Sequence, residues 1–263
     1  MSAELDVAIA AARAAGAILL RRFEDELVVE TKGTAIDLVT IADREAEAEI
    51  VQRLRDAFPH DAILAEESGA SGDGGRRWIV DPLDGTTNFA HRFPHFSVSI
   101  ALYEGETAVL GVVFDPNRDE CFTAIAGQGA WLDAPRHDHV RLRVTSTAAV
   151  ERGLFATGFP YDPQRAHHDN VVETARVLQR SRGIRRPGSA ALDLAYTAAG
   201  RVDGYWEYAL QPWDWAAGAL LVREAGGVIA TLDGAPWRLD AASVVATNPS
   251  LMPDLLATLR GPA

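Results

Sequence analysis

The spacing of apolar residues changes period several times along the chain, and each change marks an element. The stretch before Arg21-Arg22-Phe23 is rich in Ala, Leu and Ile and reads as a helix packed on the body of the protein. After a loop punctuated by Lys32-Gly33, residues Ala46, Ile50, Val51, Leu54 and Phe58 form one apolar stripe, which predicts a second helix over 40–58 with Asp43 near its start. Ile63 and Leu64 open a short strand that ends at Glu66-Glu67, and the Gly-rich stretch 69–75 reads as a turn or flexible loop. Trp78-Ile79-Val80 is a further short strand delivering Asp81. Phe96, Val98, Ile100 and Leu102 then alternate with Ser97, Ser99 and Ala101, the period of a half-buried strand.

Val109 to Phe114 and Glu120 to Ile125 flank Asp115-Pro116-Asn117 as a hairpin, with short strands following through Val144. From Val150 the pattern predicts a strand to Phe159, a helix over 170–180 stopped by Gly183, and a helix over 189–199 stopped by Gly200. Tyr205 to Tyr208 is a strand. Pro212 precedes a helix with Asp214 in its first turn, Gly226-Gly227 ends it, Asp233-Gly234 marks a turn, and a last helix covers 250–259. A soft boundary near Arg143 to Thr145 separates an N-terminal α+β lobe, 1–144, from a C-terminal α/β lobe, 145–263. Together they are expected to form one compact unit.

Composition narrows the function classes. Hydrophobic residues at 48% and charged residues at 24% are ordinary globular usage, and 263 residues suffice for a sizeable core. A net charge of -12 opposes sequence-independent binding to nucleic acid phosphates, so nucleic acid is not an expected partner. The single cysteine, Cys121, forms no internal disulfide and reads as a buried thiol. The acidic start, with Arg13 interrupting the alanine-rich stretch, disfavours a secretory signal, and no apolar run is long enough to cross a bilayer. A cytoplasmic protein without membrane contact is expected.

Asp81 and Asp84 flank Pro82 and Leu83, so a tight turn there can bring both carboxylates to one point, with Gly85 admitting a ligand to the backbone. Taken alone, such a pair is more often a structural turn. Glu66 at a strand end, Asp214 at a helix start and the polar run Gly85-Thr86-Thr87-Asn88 supply the rest of a cation and anion site, and Mg2+ takes oxygen ligands of this kind.

The sequence resembles the inositol monophosphatase family of magnesium-dependent, lithium-sensitive phosphatases over almost its whole length. The resemblance rests on Asp37-Leu38-Val39-Thr40 with Asp43, on Ala65-Glu66-Glu67-Ser68, on Trp78 through Phe89, and on Pro212-Trp213-Asp214-Trp215-Ala216-Ala217-Gly218. It implies a layered αβαβα sandwich, the inositol monophosphatase and fructose-1,6-bisphosphatase-like sugar phosphatase fold, and a homodimer. It implies two or three Mg2+ ions, the first on Glu66, Asp81 and the Leu83 carbonyl, the second on Asp81, Asp84 and Asp214, with a looser ion near Glu66. Thr86 and Glu66 would orient the attacking water, with Asp43 supporting Thr86. Asp84, Gly85, Thr86, Ser189, Ala190, Glu207 and Asp214 would contact a small phosphate monoester, foremost inositol 1-phosphate. Ala65 departs from the glycine common before the Glu pair, and a local backbone adjustment is expected there.

Haloacid dehalogenase-like chemistry requires one residue between its aspartates; here two intervene, which excludes an aspartyl-phosphate route. No P-loop string and no Gly-x-Ser-x-Gly elbow occurs. Histidinol phosphate is the second substrate to consider, because Glu207 can pair with an ammonium, followed by fructose bisphosphate and nucleotides. An RNA-associated regulatory role is the reading from a different class. By the resemblance Lys32 lies in a loop that closes over the site, and it reads equally as a solvated loop lysine; Arg185-Arg186 read either as contacts to a second phosphate or as solvated loop residues, and His167-His168 as a solvated loop rather than a transition-metal site.

Overall fold

The computed structural model describes residues 2–24, 29–31, 38–160 and 168–261. Lys32, Asp37 and His167 lie outside these described residues. Helix α1 (Ala3–Glu24) leads to a hairpin of β1 (Val29–Thr31) and β2 (Leu38–Thr40), then α2 (Ile41–Ala57). Strands β3 (Ala62–Ala65), β4 (Gly69–Ser71) and β5 (Arg76–Asp84), a short helix α3 (Thr86–Ala90), and β6 (Ser97–Glu104) through β7 (Thr107–Asp115), β8 (Glu120–Ile125), β9 (Gly129–Ala134) and β10 (His137–Arg141) follow. Together β3 to β10 make one eight-stranded sheet in the order β10-β9-β8-β7-β6-β5-β3-β4.

The remaining chain runs β11 (Leu154–Thr157), α4 (Val171–Arg180), β12 (Gly183–Arg185), α5 (Ala190–Ala198), β13 (Gly204–Tyr208), α6 (Pro212–Glu224), β14 (Val228–Ala230), β15 (Ser243–Thr247) and α7 (Met252–Arg260). Its strands form a five-stranded sheet ordered β12-β11-β13-β15-β14. Helices α1 and α2 cover one face of the large sheet, α5 and α6 lie between the sheets, and α4 with α7 cover the far face. The result is the five-layer αβαβα order.

Three apolar cores follow from this layering. Trp78, Val80, Ile100 and Leu102 pack under α1 and α2, while Ile79, Ala101 and Tyr103 face α5 and α6. Strand β6 is therefore buried on both faces, with Ser97 and Ser99 as inaccessible as Val98. Its alternation reflects two different environments, apolar toward α1 and polar toward the cleft, rather than core and solvent. The 69–75 segment also differs from a plain loop. Gly69–Ser71 pairs antiparallel with β3 as a short edge strand, which closes that side of the sheet. Cys121 is buried, and burial pushes its thiol up to about 12.

Candidate active site

Asp81 and Asp84 belong to strand β5 rather than to a free turn. Asp81 stands opposite Ser99 and Asp84 opposite Ser97, so three steps along β5 match two steps along β6. One extra residue is a bulge, and Pro82, which has no N–H to give to the ladder, sits inside it. On a regular strand residues three apart face opposite ways; the bulge turns both carboxylates toward the same side. The Leu83 N–H donates to Asp81 Oδ1 at 3.0 Å and fixes that rotation. Gly85 follows with φ 103°, a left-handed conformation that Gly adopts without strain, and α3 begins at Thr86. The Thr86 hydroxyl donates to the Leu83 carbonyl at 3.1 Å.

Glu66 lies one residue past β3, and its N–H bonds the Val80 carbonyl at 3.2 Å, which sets it beside Asp81. Ala65, buried in β3, pairs with Val80 without irregularity. Carboxylate oxygens of Asp43, Glu66 and Glu67 lie within 4.8 Å of one another. Glu47, buried one turn after Asp43 on α2, accepts the N–H groups of Glu67 at 2.7 Å and Ser68 at 2.8 Å. Glu67 is visible in the sequence only as the second acid of the Glu66-Glu67 pair, without a role, and Glu47 is not singled out there at all. The signal was present for Glu47, whose i, i+4 spacing from Asp43 puts both acids on one helix face.

Across the cleft, Asp84 Oδ2 accepts the Ser189 hydroxyl at 2.6 Å and the Ala191 N–H at 2.7 Å, and Oδ1 accepts the Ala190 N–H at 3.2 Å. These are the free donors of the α5 N-terminus, where Ser189 is the N-cap. Asp214 sits in the first turn of α6, and its carboxylate accepts the Gln211 N–H at 2.6 Å in a capping box. Asp84, Gly85, Thr86, Ser189, Ala190, Glu207 and Asp214 all line one cleft, with Gly158 and Arg186. Asp43, Glu66, Asp81 and Leu83 are not part of its lining; they form the acidic wall around the β5 bulge.

Electrostatics ties the two groups together. Burial pushes Asp81 well above the usual carboxylate range, and the charges of Glu66, Asp84, Asp214 and Asp43 push it further. Asp214 is raised by burial and by Asp84, against the Gln211 hydrogen bond. Asp84 is raised by burial to about 6, against the bonds from Ser189, Ala191 and Ala190. None of these three carboxylates forms an ion pair among the described residues. Enclosed oxygens of like charge without a basic partner are the donor set that hard divalent cations take, so the residues fit such ions.

Glu207 is buried on β13, where the Tyr205 hydroxyl donates to its Oε2. Burial raises it to about 8, against Tyr205 and Arg186. Gly158 makes room for it, because a Cβ there would lie 2.2 Å from the Glu207 oxygens. Asp193 on α5, also missed from sequence, is buried and raised by burial and by Glu207. Its register inside an otherwise apolar helix was the available signal. Arg186 faces the cleft, whereas His168 is exposed and stacks on Tyr208 with centroids 4.8 Å apart.

The fold is that of the inositol monophosphatases, and the chain belongs to the inositol monophosphatase family, which it matches over residues 1–261. It is 43% identical over 261 residues to the Nus factor SuhB of Escherichia coli K12, covering 97% of this chain and 95% of that one. It is 42% identical over 257 residues to the inositol-1-monophosphatase of Synechocystis, covering 97% and 88%. Among solved structures, the extragenic suppressor protein suhB of Bartonella henselae superposes with TM-score 0.91 at 42% identity over 100% of both chains. The inositol monophosphatase of Anabaena gives 0.86 at 40% identity over 97% and 94%. The family is typically metal-dependent, and membership supports a phosphatase. No described helix is long and apolar enough to cross a membrane.

Proposed function

We propose that the protein is a Mg2+-dependent phosphate monoester hydrolase acting on a small polyol phosphate, foremost inositol 1-phosphate. The observation that carries this reading is the buried cluster of Asp81, Asp84 and Asp214, without a basic partner among the described residues, beside a cleft that also holds Glu207. Glu66, Asp81 and the Leu83 carbonyl would hold one ion, and Asp81, Asp84 and Asp214 a second. A third would sit near Glu66, where Asp43 and Glu67 add oxygens. Bound there, divalent ions lower the pKa of water and neutralise phosphate and leaving-group charge.

The chain's own groups do the positioning. The single Thr86 hydroxyl proton is committed to the Leu83 carbonyl, so Thr86 can only accept from a water and turns that water's free lone pair toward phosphorus. Glu66 takes the water proton as the new P–O bond forms and the ester P–O bond breaks, and the leaving alkoxide takes its proton from a solvent water, to which Glu66 later returns one. Backbone N–H groups at Gly85 and Thr86 hold phosphate oxygens. Asp43 lies with Glu66 and Glu67 on the acidic wall rather than bonding the Thr86 hydroxyl, whose proton goes to Leu83, and no enzyme-bound phosphate is formed.

Ser189, Ala190 and Glu207 face the alcohol. A Glu207 raised to about 8 is largely protonated at neutral pH, which suits exchange of hydrogen bonds with hydroxyls better than pairing with the ammonium of histidinol phosphate. The names of the Synechocystis and Anabaena relatives agree with inositol phosphate. A homodimer in the cytoplasm and a division into lobes at residues 144 and 145 belong to the same proposal. The test is turnover of inositol, histidinol, fructose and adenosine phosphates with Mg2+, Li+ or a chelator. Inositol 1-phosphate should be turned over fastest, and inactivity on all four with Mg2+ would sink the reading.

A second reading rests on the name Nus factor carried by several relatives. It is a regulatory role beside catalysis, and RNA binding that survives Asp84→Asn, in a parent protein without turnover, would favour it over the enzyme.

A further inference from the structure

At the end of β5 away from the bulge lies a cavity of about 360 Å³ between the large sheet, α6, which lines it with both Pro212 and Arg223, and the loop before β15. Arg77 of β5 and Arg223 in the last turn of α6 both line it, together with Tyr103 and Trp237. Arg77 stands opposite Tyr103 across the β5–β6 ladder. The Arg223 guanidinium lies over the Trp237 ring, 5.4 Å from its centroid.

The donors here outnumber the acceptors. Trp237 is 6% exposed, and its buried indole Nε1 has no hydrogen-bond partner among the described residues. The buried Arg77 Nε has none either. Neither Arg77 nor Arg223 forms an ion pair among the described residues. Glu106 and Asp240, the two acids at the rim, are taken by Arg238, at 2.6 and 3.4 Å. Both free guanidiniums act on the Tyr103 phenol, opposing the burial that pushes it up to about 12.

Buried donors without acceptors are costly, about 1–3 kcal/mol each, and native proteins seldom keep them without a purpose. Paired guanidinium forks beside an indole N–H match the oxygens of a phosphate or carboxylate, and the cavity falls in the size range of small-molecule sites. We propose that this cavity, framed by Arg77, Arg223 and Trp237, binds the phosphate or carboxylate group of a small anionic metabolite at a site separate from the catalytic cleft. Such a ligand would bridge β5, which carries Asp81 and Asp84, to α6, which carries Asp214.

The test follows the Trp237 indole N–H resonance of the full chain in Mg2+ buffer, assigned by its loss in Trp237→Phe, during titration with inorganic phosphate and separately with succinate. A saturable shift with phosphate alone assigns a phosphate ligand, and one with succinate alone or with both assigns carboxylate capacity. Either supports the site if Arg223→Met, a change at an exposed side chain, weakens the shift at least about tenfold and Asp84→Asn leaves it intact. Arg77→Lys should keep the charge but lose the fork, and bind several-fold more weakly. The site is refuted if neither probe shifts the resonance saturably, if the shift is undiminished in Arg223→Met, or if Asp84→Asn abolishes it.

Discussion

The Asp84 carboxylate accepts the Ser189 hydroxyl at 2.6 Å, and this contact ties the bulged end of β5 to the N-terminus of α5. One hydroxyl thus serves as helix cap and as a clamp on a proposed metal ligand. Ser189→Ala should cost about 1–2 kcal/mol of stability through the lost cap. It should also lower Mg2+-dependent turnover about tenfold, because Asp84 loses its shortest partner. Denaturant unfolding and turnover on one sample check both effects, and unchanged turnover would mean that Asp84 needs no such clamp.

Gly158 touches no reacting group, yet a side chain there would collide with Glu207. Gly158→Ala should therefore displace the Glu207 carboxylate and lower kcat/KM for inositol 1-phosphate by at least about tenfold. Turnover of a substrate whose alcohol makes no polar contacts, such as p-nitrophenyl phosphate, should change little. Equal losses on the two substrates would contradict the assignment of Glu207 to the alcohol.

Burial holds Glu207 at about 8 against an ordinary 4.5. Below the ordinary value both folded and unfolded chains are protonated and the residue costs nothing. As pH rises from 4.5 to about 8, the unfolded chain is ionised while the folded chain stays protonated, so the metal-free protein loses stability across that window and the loss levels off above 8. Glu207→Gln should remove this part of the slope, gaining at least about 1 kcal/mol at pH 9 and nothing at pH 4. Parallel urea titrations at the two pH values decide it.

Like charges in the acidic wall give a prediction opposite to most buried substitutions. Metal-free Asp81→Asn should unfold at a higher temperature than the metal-free parent, because burial and four neighbouring carboxylates all oppose the Asp81 charge. Added Mg2+ should raise the Tm of the parent and fail to raise that of the variant. A variant that is less stable without metal would show the cluster to be a structural network.

Much of this was legible in the sequence because the elements are long and strongly patterned. The α2 stripe, the hairpin at Asp115-Pro116-Asn117 and the Pro212 start of α6 carry local signals that tertiary packing did not override. The motif residues around Asp81 and Asp214 were equally visible. Less visible were features that depend on what lies opposite. Ser97 and Ser99 read as a solvent face, and only the α5 and α6 layer makes that face interior. Asp81 and Asp84 read as a turn, and only pairing with β6 shows a bulge. Glu47 and Asp193 carry local signals in their helix spacing, but what they touch, like the role of Gly158, depends on contacts between elements far apart in sequence.

The most direct measurement is phosphate release from inositol 1-phosphate with Mg2+ by the parent protein and by Asp81→Asn, with circular dichroism confirming that both are folded. Asp81 stands where the two proposed metal sites meet, so its loss should reduce turnover by at least about a thousandfold. A folded Asp81→Asn protein within about tenfold of the parent rate would contradict metal-assisted hydrolysis at this site.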